Sequence, residues 1–109
     1  MLVAHIVTFN HERTIARALE GLISQTGFEL GRSLVIRVTD NVSTDNTCDI
    51  VRRFSSDVEL LEQKSNLGFT GAHNLAIDRA LHEDAEYFLI LNPDVFLQVD
   101  ALQILVRSL

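Results

Sequence analysis

The fold is best approached from residues 87–96, which read YFLILNPDVF. Five consecutive apolar or aromatic residues followed by turn-forming residues are typical of a strand that is buried in a parallel sheet. The run ends at Asn92, which is followed by Pro93, the only proline of the chain, and then by Asp94. A carboxylate at the tip of a buried strand predicts that Asp94 belongs to a binding site.

The composition limits the classes of protein to consider. The chain has 109 residues, enough for one domain with one core, and its net charge of -6 lacks the basic surface of a nucleic-acid binder. Cys48 is the only cysteine, so neither a disulfide nor a zinc site of several cysteines is expected. The first residues do not resemble a signal peptide, and no stretch approaches the roughly 18 apolar residues of a membrane span. These features predict a cytoplasmic protein.

Strands and helices alternate along the chain. Short apolar runs predict strands over residues 2–9, 34–39, 58–61 and 87–91. Apolar stripes with helical spacing follow each of them, at residues 15–23, 48–54, 69–81 and 99–109. The order βαβαβαβα predicts an α/β fold with a mostly parallel sheet, strand order 3-2-1-4, and helices on both faces.

Ligands of such sheets bind beyond the carboxyl ends of the strands. The turn after the first strand reads FNHERT, residues 9–14, and contains no glycine. This excludes a dinucleotide fingerprint and a P-loop, which need glycines there. A receiver domain is disfavoured because it would need paired acids at this turn, where only Glu12 stands.

Two carboxylates remain at this edge, Asp40 after the second strand and Asp94 after the fourth. One carboxylate can accept hydrogen bonds from a base or a ribose. The other can hold Mg²⁺ or Mn²⁺, which would neutralise phosphates. The pair therefore indicates a ligand that contains a nucleoside diphosphate.

Four segments carry a family resemblance: VTFNHERTIARALEGLISQT, VTDNVSTDNT, SNLGFTGAHN and LNPDVF. In this order and spacing they resemble the signatures of inverting family 2 glycosyltransferases with the GT-A fold, in particular the bacterial rhamnosyltransferase-like members. The resemblance covers essentially the whole chain. It implies the Rossmann-like, nucleotide-sugar-binding half of that fold.

The resemblance also implies roles for individual residues. Asp94 would bind the metal ion that bridges the diphosphate, Asn92 would face the ribose, and Asp40 would contact the base. The nucleotide-sugar site as a whole would comprise Thr8, Asn10, Glu12, Asp40, Asn66, Gly68, Asn74, Asn92 and Asp94. The implied donor is dTDP- or UDP-linked, and the acceptor is a saccharide or a lipid-linked sugar in cell-surface polysaccharide synthesis, at the cytoplasmic face of the membrane.

Two departures from the family pattern stand out. Asn92 occupies a position where the family has an aspartate, so the metal ion would depend more heavily on Asp94. No residue is assigned as the catalytic base, because the half of the family that supplies it is absent. Residues 1–109 are therefore predicted to be a donor-binding domain and a fragment. Val106 and Leu109 on the last helical stripe predict a neighbour, either further chain or the second subunit of a homodimer.

Less specific interpretations remain open. Asp94 could cap a helix, Asp40 could form only an Asx-turn, and Ser43 and Asp45 are interpreted as capping residues. His5 and His73 lie in a strand and on an apolar helical stripe, and are expected to be satisfied, partly buried side chains. A non-catalytic nucleotide- or protein-binding module and a nucleotidyltransferase-like enzyme are the alternative functions. The second is disfavoured, because the first turn lacks a glycine-rich basic loop.

Overall fold

A computed structural model describes all 109 residues. Four strands and four helices alternate in the chain: β1 (Leu2–Thr8), α1 (Ile15–Ile23), β2 (Leu34–Asp40), α2 (Thr47–Arg52), β3 (Val58–Glu62), α3 (Gly68–His82), β4 (Tyr87–Leu91) and α4 (Ala101–Arg107). The strands form one parallel sheet of order β3-β2-β1-β4. The predicted α/β class, strand order and parallel sheet are confirmed.

The main core lies on one face of the sheet. Leu2, Ala4 and Ile6 of β1 face the apolar side of α1, which contributes Leu19 and Leu22. Val51 of α2 and Leu102 of α4 complete the same cluster. Alternate residues of each strand reach this core because successive side chains of a strand point to opposite faces.

The opposite face is covered by α3 alone. Its buried side chains are mostly small: Ala72, Ala76 and Ala80, together with His73. Phe69 and Leu81, which the predicted stripe placed on the buried side, are largely exposed, and this part of the prediction is wrong. One helix covers only a strip of the sheet, so residues at the margins of its apolar face stay in solvent.

The ends of several elements also differ from the predictions. β1 stops at Thr8, one residue early, and leaves Phe9 exposed at the sheet edge. α4 begins at Ala101, so Val99 precedes the helix and is exposed. Leu109 is exposed as well, whereas Val106 packs against the core. None of the four helices combines the length and hydrophobicity needed to cross a membrane.

Polar contacts compensate for the modest apolar surface that α3 buries. At its far end Glu83 accepts two hydrogen bonds from the buried Arg37 of β2, at 2.6 and 2.7 Å. Arg37 also donates to Glu59 of β3 at 2.9 Å. A buried guanidinium needs such partners, and the hydrogen bonds with Glu83 raise the pKa of Arg37.

A pair of buried histidines connects the middle of α3 to the sheet. The Nδ1 atoms of His5 and His73 lie 2.7 Å apart, and Nε2 of His5 lies 2.7 Å from Oγ1 of Thr39. Nε2 of His73 is buried and has no hydrogen-bond partner. Both ring nitrogens of His5 thus have hydrogen-bond partners, as expected from the sequence. His73 is buried more completely than expected, and only one of its two ring nitrogens has a partner.

The histidine pair predicts a loss of stability in mild acid. Burial lowers the pKa of His5 to about 3 and also lowers that of His73. The unfolded chain, with histidine pKa values of about 6.5, therefore binds more protons than the folded one below that pH. We expect the free energy of unfolding, measured by urea denaturation, to fall as the pH drops from 6.5 toward 3, with His5 contributing up to about 1.4 kcal/mol per pH unit and His73 adding to the loss in the same direction.

The double variant His5→Leu/His73→Leu should lose this part of the pH dependence. His82→Gln is the matched control, because His82 is exposed and its pKa is raised by Asp78, so the acid-induced loss should remain. The same acid dependence in wild type and the double variant would contradict this account.

Candidate nucleotide site at the carboxyl edge of the sheet

The site begins at the tips of β1 and β2, where the parallel register pairs Thr8 with Asp40. Oγ1 of Thr8 donates to Oδ1 of Asp40 at 2.7 Å, and the backbone N–H of Ser43 donates to Oδ2 at 2.8 Å. The Ser43 hydroxyl donates to Oδ1 as well. Asp40 is 2% exposed. Burial opposes ionisation of this carboxyl, but the hydrogen bonds from Ser43 and Thr8 hold its pKa below the usual value.

The loops after β1 and β2 are joined by hydrogen bonds. The side-chain oxygen of Asn10 accepts from the backbone N–H of Thr44 at 2.8 Å. The backbone N–H of Asn10 donates to Oγ of Ser43 at 2.8 Å. The Glu12 carboxylate accepts from the N–H of Asn46 at 3.0 Å. Asn10 has φ of 60°, a left-handed conformation that asparagine tolerates. Asn10 and Glu12 thus shape the edge of the sheet.

Two residues left as capping residues in the sequence analysis form part of this arrangement. Ser43 binds Asp40, as described above, and Asp45 accepts hydrogen bonds from Thr47 and from the N–H of Glu12. Asp45 accepts from the first N–H of α2, which agrees with its interpretation as a capping residue, whereas Ser43 bonds to Asp40 and not to a helix end. Val42, directly before Ser43, is exposed and has φ of 63°, a strained conformation for a β-branched residue that the surrounding hydrogen bonds maintain.

A second wall of the site is formed by the loop before α3. The side chain of Asn41, buried at the tip of β2, donates to the carbonyl of Gly68 at 3.0 Å and accepts from the N–H of Leu67 at 3.2 Å. Oδ1 of Asn66 accepts from the N–H of Gly68 at 2.8 Å. Gly68 has φ of 73°, which favours glycine at this position. Asn41 was not among the predicted site residues, although it directly follows Asp40 at the end of β2.

The tip of β4 lies on the other side of β1. Asn92 and Asp94 are exposed, whereas Pro93 between them is buried. The N–H of Val95 donates to the carbonyl of Asn92 at 3.2 Å and closes a turn around Asp94. The Asp94 carboxylate has no hydrogen bond or ion pair within the chain, so it is free to bind a ligand.

The predicted site residues around β1 and β2 are linked by hydrogen bonds, whereas Asn74, Asn92 and Asp94 lie outside this network. Thr8, Asn10, Glu12 and Asp40 are connected by hydrogen bonds through the Ser43–Thr47 loop, whereas Asn66 and Gly68 are joined to them through Asn41. Asn74 is exposed on α3, and no side-chain hydrogen bond connects it to either group. Asp40 ends β2 and Asp94 follows β4, and these two strands flank β1 on either side. The ends of β2 and β4 are therefore two strand spacings, roughly 10 Å, apart. The edge is an open shelf with a carboxylate on either side.

Comparison with known proteins identifies the family. The family model described as Glycosyl transferase family 2 matches residues 4–109. The chain belongs to glycosyl transferase family 2. The predicted resemblance is confirmed at the family level, and the sheet is the N-terminal, Rossmann-like half of a GT-A fold.

Solved structures resemble this family 2 domain closely in fold. TarS of S. aureus is 24% identical to this chain with a TM-score of 0.82. The TarS fragment 1–349 in complex with UDP-GlcNAc is 23% identical with a TM-score of 0.84. A mannosyltransferase from Pyrobaculum calidifontis, in complex with GDP-Man and Mn²⁺, is 25% identical with a TM-score of 0.74. A search of curated protein sequences found no match.

These matches cover most of this chain but only a small part of each matched protein. The chain is covered to 97% by TarS and to 87% by the mannosyltransferase. It spans only 19% of TarS, 30% of the TarS fragment 1–349 bound to UDP-GlcNAc, and 28% of the mannosyltransferase. This chain therefore corresponds to less than a third of each of these proteins.

The substitution Thr8→Val tests the buried carboxylate at this edge. It removes the hydroxyl donor of Asp40 while keeping the side-chain shape. Because hydrogen bonds to charged groups contribute about 1.5–3 kcal/mol, we expect the free energy of unfolding at neutral pH to fall by about that amount. Urea denaturation measures the change.

Thr70→Val is the matched control for this substitution, since Thr70 is exposed on the first turn of α3. It should leave the free energy of unfolding within about 0.5 kcal/mol of wild type. Equal losses in the two variants would mean that the Thr8 hydroxyl contributes nothing specific.

Proposed function

We propose that residues 1–109 form the donor-binding domain of an inverting glycosyltransferase that uses a nucleotide-diphospho-sugar. The family match over residues 4–109 carries this proposal. Two proteins of the same fold have been solved as complexes with UDP-GlcNAc and with GDP-Man, which supports a nucleotide sugar as the ligand. A dTDP- or UDP-linked donor, including a rhamnosyl donor, is the form that the sequence motifs favour.

In this proposal, different parts of the shelf bind the nucleoside and the diphosphate of the donor. Near the β2 tip, the ordered loop of residues 41–47 provides polar backbone and side chains for the base and ribose. Asp40 accepts at least three hydrogen bonds within the protein, which leaves few of its lone pairs for a ligand. Asp40 would therefore act at the base mainly through a remaining lone pair and through the loop that it fixes.

The diphosphate would lie toward β4, where Asp94 is exposed and unpaired. No group of three or more His, Cys, Asp or Glu side chains is positioned to hold a metal ion by itself. Mg²⁺ and Mn²⁺ sites that include substrate phosphates need only one or two protein carboxylates, so Asp94 fits such a shared ion. When bound, the ion would stabilise the negative charge on the departing diphosphate. Asn92 beside it can donate to or accept from a ribose hydroxyl.

Transfer of the sugar with inversion also needs a base at the acceptor hydroxyl. At this edge Glu12, Asp40 and Asp45 are engaged in hydrogen bonds of the loops, and Asp94 is assigned to the metal ion. We therefore assign the base, and the site for a saccharide or lipid-linked acceptor, to residues outside these 109.

The metal dependence of binding tests the proposed function. We expect UDP or dTDP to bind more tightly with Mn²⁺ than with EDTA, and Asp94→Asn to remove this difference, because the amide lacks the charge that holds the ion. Isothermal titration calorimetry measures both affinities. Asp84→Asn is the control, since Asp84 is an exposed acid before β4 at the opposite end of the strand. Identical titrations with Mn²⁺ and with EDTA in the wild type would refute the role of Asp94.

The assignment of the base elsewhere predicts that this chain binds donor without transferring it. The chain should show no acceptor-dependent release of nucleoside diphosphate when supplied with nucleotide sugars and saccharide acceptors. Release is followed by a coupled assay, and product by mass spectrometry. Turnover at an ordinary enzymatic rate, of the order of 1 s⁻¹ or more, would show that a base is present within the 109 residues.

A further inference from the structure

Gln25 follows α1 and is 7% exposed, which is unusual for an amide side chain. Its Nε2 group donates to the carbonyl of Gln98 at 2.6 Å and to the carbonyl of Gly21 at 3.1 Å. Its Oε1 atom accepts from the N–H of Leu102 at 3.0 Å. One side chain thus connects the end of α1 to residues more than 70 positions away.

The bond to Leu102 satisfies a helix end. The first N–H groups of a helix have no partner within it, and a polar side chain normally supplies one. Asp100, at the N-cap position of α4, makes no such side-chain hydrogen bond. Gln25 therefore caps α4 from a different part of the chain.

Neighbouring contacts strengthen the same attachment. Thr26 donates to the carbonyl of Val99 from its N–H at 2.7 Å and from its hydroxyl at 3.0 Å. At Gly21 of α1, an added Cβ would lie 3.2 Å from the backbone N of Leu97, so the two backbones approach closely. We call Gln25 and Thr26 together the α1 clamp. It holds residues 97–102, which otherwise have few backbone partners.

The segment that the clamp holds, residues 97–102, lies just downstream of Asp94. The carboxylate of Asp94 makes no hydrogen bond or ion pair, so its position depends on the backbone at either side. On one side β4 is fixed by pairing with β1, and on the other Val95 and Leu97 pack against the core before the chain reaches the clamp. Loss of the clamp would leave that end of the Asn92–Asp94 turn held only by the packing of Val95 and Leu97.

We propose that Gln25 is a positioning residue for Asp94, which it acts on through the backbone of residues 95–102 and does not touch. This inference rests on the proposed role of Asp94 in metal-dependent donor binding. An amide is needed at this position because both kinds of hydrogen-bonding group are used. Leucine would leave the N–H of Leu102 without its partner and remove one of the two hydrogen bonds to the carbonyl of Gln98, and glutamate would place a carboxylate against two carbonyl oxygens.

The test compares UDP affinity with Mn²⁺ and with EDTA in the wild type, Gln25→Leu and Asp94→Asn. The metal enhancement is the ratio of the two affinities. We expect Gln25→Leu to reduce this enhancement by roughly tenfold, while affinity in EDTA changes little. Thr26→Val removes only one bond of the clamp and should give a smaller reduction, which keeps the test valid if Gln25→Leu does not fold.

Val58→Ala is the matched control for stability. Val58 is buried at the start of β3, far from the clamp, and its truncation should destabilise the fold without changing the metal enhancement. Amide hydrogen exchange gives a readout that needs no ligand. Gln25→Leu should speed exchange at Leu102 and at Val95, whose N–H closes the Asp94 turn, more than in Val58→Ala.

The outcomes separate the two proposals. Loss of the enhancement in Gln25→Leu with its retention in Val58→Ala supports the positioning role. Retention in Gln25→Leu with loss in Asp94→Asn overturns the positioning role and leaves the proposed function intact. Retention in Asp94→Asn, or absence of UDP binding by the wild type, overturns the metal-binding role of Asp94 and the inference with it.

Discussion

The carboxylate of Asp40 is the constraint on which the edge of the sheet depends. The parallel register brings Thr8 beside it, and its nearly complete burial requires hydrogen-bond donors on every accessible side. Thr8 and Ser43 supply them, and Ser43 in turn accepts from Asn10. A single buried charge thus fixes the loops after β1 and β2 relative to each other. The strained backbone of Val42 is a consequence of how tightly the second loop is held.

The helix on the other face depends on a comparable set of polar contacts. α3 buries mainly alanines, and hydrogen bonds attach it to the sheet at its start, middle and end, through Asn41, His5 and Arg37. The first of these contacts fixes the loop of Asn66 and Gly68 at the carboxyl edge of the sheet. Polar groups in the interior therefore position the site, in addition to their effect on stability.

The alternation of short apolar runs and helical stripes was enough to predict the strand order and to place Asp40 and Asp94 at one edge, because parallel strands end on the same side. The contacts between loops could not be predicted in the same way. Asn10 and Thr44, or Gln25 and Leu102, are far apart in the chain, and no periodic pattern records which donor meets which acceptor. The exposure of Phe69 and Leu81 was missed because a helical stripe shows which residues share a face and does not show how wide a surface they cover.

The central claim is that the shelf between the β2 and β4 tips binds a nucleoside diphosphate together with a divalent ion. Nuclear magnetic resonance of the labelled chain with UDP and a small amount of Mn²⁺ tests it most directly, because the paramagnetic ion broadens the signals of nearby nuclei. The account predicts the strongest broadening at the amides of residues 92–95, weaker broadening at residues 40–47 across the shelf, and the weakest at residues 55–59 at the opposite edge of the sheet. Strongest broadening at residues 55–59 instead would contradict it.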